Sequence, residues 1–345
     1  LINKTIMKYI LITIATLITF HHSFAQQSAK QLQETAMSMM RQGDFANAVT
    51  ALEKAVQQDP KNLDLLKNLS FANYLKRDFA KAIEVAKPLV QRPDADEETF
   101  QILGMSYKSI AAYKECGKLY KDALKKFPSS AVIYNEYGEL LEMDDNLGDA
   151  IVKWEKGITL DPNYSSNYYN AAKYYTKKGD WIRVILYGEL FLNLESFSAR
   201  VEDVKKGMVF AYRNLFRGGA IQDAIASKAT TGFEKAVLET YAKTMGLAKD
   251  GINIDNLATI RTRFILEWFQ ANNKQQYPFH LFDQEQYLLR EGIFEAYNQW
   301  LFGTVINADA YRIWQNNHPK EYNGFKAFQE GRVFKMPAGQ SYMIR

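Results

Sequence analysis

An all-α solenoid of paired helices, closed by a helical C-terminal cap, is the fold this sequence predicts, and three observations predict it. Small residues recur every 34 positions at Ala36, Ser70, Gly104, Gly138 and Ala172. A second ladder with the same spacing, Ala48, Ala82, Cys116, Ala150 and Val184, is small at four of its five rungs. A third, Phe45, Phe79, Tyr113, Leu147 and Trp181, is large and apolar throughout. One period shared by three ladders marks a repeat architecture, in which each unit buries its apolar face by stacking on the next.

Each unit reads as two antiparallel helices. Phe100, Leu103, Gly104 and Tyr107 recur at helical spacing, and so do Cys116, Leu119, Tyr120 and Ala123. Small side chains are needed where paired helices approach closely, and large apolar ones fill the space beside them. Cys116 stands on a small rung, which predicts a packing role rather than a reactive one. Gly43-Asp44 and Gly179-Asp180 mark turns between the two helices. Pro60, Pro128 and Pro162 follow second helices on the same grid, with Pro93 one residue off it. Proline lacks the amide donor that would continue the helix.

These residues resemble the tetratricopeptide-repeat (TPR) family. Its pattern appears as Phe100, Leu103, Gly104, Tyr107, Cys116, Tyr120, Ala123 and Pro128, and again as Tyr134, Tyr137, Gly138, Leu141, Ala150, Trp154, Gly157 and Pro162. The repeats fall at 29–62, 63–96, 97–130, 131–164 and 165–198, about half of the chain. The resemblance implies a right-handed superhelix of helix pairs whose first helices line a concave groove. Carried over residue by residue, that groove presents Lys67, Phe71 and Tyr74, then Gln101, Met105 and Lys108, then Asn135, Glu139 and Glu142, then Tyr169, Lys173 and Thr176. Aromatic rings, amides and both charge signs suit a peptide or helix with polar and apolar anchors. Family members that grip chaperone C-termini carry Lys and Asn where this chain has Gln33 and Met37, and only Asn68 agrees, so that subtype is disfavoured.

The grid breaks after residue 198. Gly219 to Ile225 echoes Gly43 to Val49, and Ala224 comes 40 residues after Val184. A divergent sixth repeat at 199–230, with a first helix six residues longer, accommodates that spacing. Over 231–345 the spacing stays helical, as in Ile260, Phe264, Trp268 and in Ile293, Tyr297, Trp300, Leu301, with breaks at Gly251, Tyr277-Pro278, Asn316 to Pro319 and Pro337 to Gly339. Eighteen aromatics between 264 and 345 predict a close-packed cap; the alternative is an exposed patch that docks a partner. Gly331 to Arg345 reads as a loop laid back over the helices.

The first 25 residues read as an export signal. Lys8 gives a positive start, Tyr9 to Phe20 is uncharged and largely apolar, and Ser23-Phe24-Ala25 fits a signal-peptidase site. Twelve residues are too few for a membrane-spanning helix, which needs roughly 20. Met7 reads as the initiator and Gln26 as the first mature residue, which predicts a periplasmic or secreted protein. Without Lys4 and Lys8 the chain carries 41 basic and 39 acidic side chains. No concentrated basic run is present, which disfavours nucleic acid as a partner. A lone cysteine forms no internal disulfide, so the core alone must stabilise the exported protein.

The mature chain keeps only His280 and His318, and with one cysteine these give no zinc-ligand spacing. There is no glycine-rich phosphate loop and no Gly-x-Ser-x-Gly turn. Acid pairs such as Glu97-Glu98 and Asp144-Asp145 fall at helix starts or turns, where dipole and solvent account for them. The sequence therefore predicts no metal, no cofactor and no catalysis, but an exported scaffold that holds a protein or peptide partner. Two alternatives stand: an enzymatic or small-ligand-binding C-terminal region, and a self-assembling structural solenoid.

Overall fold

The computed structural model describes residues 27–344, all helix and connection with no strand among them. The export segment lies outside the described residues. Two compact units divide between Cys116 and Gly117.

The first unit holds α1 (Ala29–Arg41), α2 (Phe45–Gln58), α3 (Leu63–Leu75), α4 (Phe79–Leu89), α5 (Glu97–Ser109) and the start of α6 (Tyr113–Lys126). Side-chain caps start these helices: Ser28 with Gln31 in a capping box, then Asp44, Asn62, Asp78 and Asp96. Ala36, Ala48 and Ala82 have no exposed surface. Ser70 Oγ donates to the Ala82 carbonyl at 2.9 Å, and Cys116 Sγ lies 3.6 Å from the Gly104 carbonyl, two equivalent contacts between paired helices. Cys116 is a buried packing residue. The large ladder is half-buried at every rung.

The second unit continues through α7 (Ala131–Met143), α8 (Leu147–Leu160), α9 (Ser165–Lys178) and α10 (Trp181–Leu194). It then adds α11 (Val201–Leu215), α12 (Ala220–Ala226), α13 (Gly232–Ala242), α14 (Ile254–Gln270), α15 (Asn273–Gln276), α16 (His280–Arg290) and α17 (Phe294–Asn298). Last come α18 (Ala308–Asn317) and α19 (Pro319–Gly331). A π-turn, Gln299–Gly303, prolongs α17. The longer first helix expected in the sixth repeat is absent. Helix α11 has 15 residues, and the extra length is shared with the link 195–200 and the turn 216–219. The next helix, α12, has only 7 residues against 14 in α10.

The turns from first to second helix in the five repeats use one motif. Gly43, Arg77, Ala111, Asp145 and Gly179 all have φ between 54 and 81°. The amide that follows each one bonds back five residues, as Asp44 to Met39 at 2.9 Å and Asp180 to Tyr175 at 3.1 Å. Two of the five are glycine, the residue that adopts this backbone without cost.

Helix α10 explains the C-terminal region. Ile182 through Leu192 are buried without interruption, so this helix is covered on all sides rather than along one stripe. Its cover includes the aromatic core of α13, α14 and α16, where Phe233 packs against Trp268, Phe279 and Phe282. The region is thus a packed cap rather than an exposed patch, and it shares one core with the fifth repeat. After Gly331 the chain runs without helix to 344 as a strap. Asn163 holds Met336 through both its backbone amide, at 2.8 Å, and its carbonyl, at 3.2 Å. Gln340 accepts from the His280 amide at 2.7 Å, and Phe334, Met336 and Met343 are buried.

Inside the cap lies a charged knot. Arg261, 1% exposed, meets Glu189 at 2.7 Å and Glu285 at 2.9 Å, with Tyr212 and Tyr297 closing the ring. Burial alone would raise both carboxyls. Arg261 outweighs it at Glu189, which is held low; at Glu285 burial and the Glu189 charge win and push the carboxyl well above its ordinary range. Nearby, buried Lys205 donates to the Trp300 carbonyl in the π-turn and sits 4.4 Å from the indole centre.

Candidate groove sites

In the first unit the predicted groove residues lie on α3 and α5, which pack side by side. Spacing of three and four residues places Lys67, Phe71 and Tyr74 on one face of α3, and Gln101, Met105 and Lys108 on one face of α5. Lys67 is buried and tied to Asp96 at 2.6 Å, Glu98 at 2.7 Å and Asp64 at 3.1 Å. Burial alone would lower its pKa, but the three carboxylates outweigh that and hold it above the ordinary lysine value. Lys67 therefore fastens α3 to the start of α5, where Asp96 is the cap. Phe71 and Tyr74 stack 6.1 Å apart with planes 9° from parallel, and both are half-buried. Gln101, Met105 and Lys108 are also half-buried.

In the second unit the remaining six lie on α7 and α9. Asn135 is buried, donating to Glu139 at 2.9 Å and accepting from Asn170 at 2.9 Å. Glu142 pairs with Lys177 at 2.8 Å and more loosely with Lys173 at 3.9 Å. Tyr169 packs 5.4 Å from Phe191 and meets two cations, Lys173 at 5.4 Å and Arg200 at 4.8 Å from its ring centre. Burial, then the Asp203 charge, pushes its hydroxyl above the usual tyrosine value. Thr176 returns its hydroxyl to the Ala172 carbonyl at 2.9 Å.

Three of these, Tyr169, Lys173 and Thr176, line a pocket of about 200 Å³ together with Ala172, Val184, Asp203, Val204 and Gly207. Helix α9 forms one wall and α11 the other. The lining is largely apolar, with Lys173 and Asp203 as its charged members. Gly207 leaves room: a Cβ built there meets nothing within 4 Å. Asp203, Val204 and Gly207 were not foreseen as site residues, although a signal was present. Asp203 and Gly207 stand 34 residues after Tyr169 and Lys173, so the grid carried one repeat past residue 198 lands on both.

Residues 39–102 match the tetratricopeptide-repeat family model, and the helix pairs of the fold are of that repeat type. Protein FlbA of Caulobacter vibrioides is 30% identical over 143 residues, covering 40% of this chain and 23% of that protein. The chain thus spans under a quarter of that relative's length. A thermophilic TPR protein of Thermus thermophilus superposes with a TM-score of 0.45 at 15% identity, over 53% of this chain and 98% of that one. A tetratricopeptide repeat protein of Parabacteroides merdae does so at 0.41 and 16% identity, over 72% of this chain and 93% of that one. Among the described residues no helix is long and apolar enough to cross a membrane.

Proposed function

We propose that this protein is an exported, non-catalytic scaffold that holds a protein partner on the first-helix face of its repeats. The partner seats one large apolar side chain, next to a carboxylate, in the pocket between α9 and α11. The observation that carries this reading is the pocket itself, about 200 Å³ of largely apolar space bounded by first-helix residues. Its volume suits a leucine, methionine or phenylalanine side chain. Lys173, half exposed and only loosely held by Glu142, is placed to meet the neighbouring acid. The tetratricopeptide match supports a scaffold role in preference to catalysis. Export is supported by the residue pattern of 1–25.

A Gly207→Leu substitution tests the pocket. It fills open space in mid-helix, and leucine is the better helix former, so the fold is kept. Affinity-tagged full chain, crosslinked in its native cells, is expected to capture a defined partner that Gly207→Leu and Tyr169→Ala lose and Lys173→Glu weakens. Capture that survives all three substitutions overturns the pocket assignment. Mass spectrometry of the native protein is expected to give Gln26 as the first residue, and a chain that retains residues 1–25 overturns cleaved export.

A further inference from the structure

The short helix α12 leaves a second cavity beside it. Helix α12 turns Ala220, Asp223, Ala224 and Ser227 toward α10, a single helical face with no side chain larger than aspartate. A two-turn helix with so small a face cannot fill the gap, and about 340 Å³ stays open against Trp181, Ile182 and Leu215. Its acidic members are Asp180, Asp223 and Glu234, and its basic member is Lys178.

Those charges are unequally committed. Arg183, packed behind the cavity, pairs with Glu234 at 2.6 Å and Asp180 at 2.8 Å, and its guanidinium lies 4.9 Å from the Tyr175 ring centre. Asp223 is exposed and has no ion-pair partner among the described residues. Lys178 rests over the Tyr174 ring at 5.6 Å. Arg183 engages both Asp180 and Glu234, which leaves Asp223 as the lining carboxylate open to a cation.

We propose that the cavity between α10 and α12 binds an organic cation, a guanidinium or ammonium group on a short aliphatic stem. The stem lies along Trp181, Ile182 and Leu215, and the cation meets Asp223. The site is distinct from the groove pocket and stands without the reading given to it. Such a group belongs either to a free small molecule or to an arginine or lysine side chain of a bound protein.

Butylguanidinium, butylammonium and neutral butylurea, titrated against the full chain while its Tm is followed, test the proposal. Both cations are expected to raise Tm saturably, with half-saturation on the order of 1 mM for so small a ligand. Butylurea is expected to leave it unchanged. Asp223→Asn, at an exposed position, weakens cation binding roughly fivefold, and Ala224→Leu, which plugs the cavity, abolishes it. N-acetylarginine amide separates the two sources: binding comparable to butylguanidinium points to a side chain, and no binding to a free small molecule. An equal response to butylurea, or undiminished binding by Asp223→Asn, overturns the cation assignment. No saturable rise with either cation overturns the site.

Discussion

The repeats and the cap are both helical, yet they are stabilised differently. Within a repeat the paired helices meet at short range in sequence: Ser70 reaches Ala82, and Cys116 lies against Gly104, both 12 residues away. Pairs of this kind recur every 34 residues, and apolar fit between neighbouring helices does most of the work. In the cap, Arg261 reaches back 72 residues to Glu189, and Tyr297 reaches back 108 to the same carboxylate. A repeat can therefore lose one contact and keep its neighbours, whereas the cap concentrates its polar contacts in one buried knot. The sharpest break in this comparison is Arg261→Met, which leaves buried Glu189 without its counter-charge and Glu285 without its guanidinium donor. We expect a loss of about 3–5 kcal/mol in urea unfolding, and a loss under 1 kcal/mol would show that the knot reorganises at little cost.

Lys205 marks the same contrast from the other side, as a buried cation with no ion-pair partner among the described residues. Burial pushes its pKa down to about 8. In the unfolded chain a lysine titrates near about 10.4. Between those values the unfolded chain still holds a proton that the folded chain has released, so stability rises with pH across that window. Below about 8 the penalty is fully present. The rise is up to roughly 3 kcal/mol, and Lys205→Met is expected to lack it. Removing the lysine also removes its bond to the Trp300 carbonyl, so the gain at neutral pH is smaller than the rise. Paired denaturation curves at pH 7 and pH 10 measure the difference, and parallel responses in the two proteins would refute the assignment.

In the repeats the largest effects come from shape. A Cβ on Gly138 falls 2.3 Å from Trp154 Nε1, and that indole is buried. Gly138→Ala is expected to cost about 1–3 kcal/mol by overpacking, although alanine is the better helix former. Gly207→Ala, in open space, is expected to gain roughly 0.5–1 kcal/mol. Equal and favourable effects at both sites would mean that Trp154 yields freely.

This contrast also sets what was legible in the sequence. The helix pairs were readable because small rungs, caps and turns repeat, and a pattern shown five times corrects its own exceptions. The Glu189–Arg261–Glu285 knot was not readable, because no local spacing links α10, α14 and α16. Its only trace was indirect: Trp181 to Leu194 is apolar nearly all round, which an exposed second helix would not be. The α9–α11 pocket was half readable, since Tyr169, Lys173 and Thr176 followed from the grid while its second wall lay just past the break. The pocket beside α12 had no sequence signal, because it arises from a helix that stops early.

Two further small effects probe how far the repeats depend on their turns. Four of the five second helices begin with a side chain that can cap: Asp44, Asp78, Asn146 and Asp180 accept from the amide three residues on. The fifth position is Ala112, which has no oxygen to offer. The residue before it, Ala111, is held at φ 54°, where alanine is disfavoured and glycine is not. The third turn thus departs from the pattern at two adjacent positions. Ala112→Asp is expected to gain about 1 kcal/mol through the restored cap, and Ala111→Gly a similar roughly 1 kcal/mol by relieving the backbone. Because the two residues share one turn, the double variant need not give the sum. The same changes made where the pattern is already satisfied, as Asp78→Asn for the cap, should be nearly neutral. If Ala112→Asp is neutral in urea unfolding, the back-bond from the Ala112 amide to Tyr107 at 3.0 Å suffices to hold the turn without a cap. The regularity at the other four turns would then reflect local geometry more than stability.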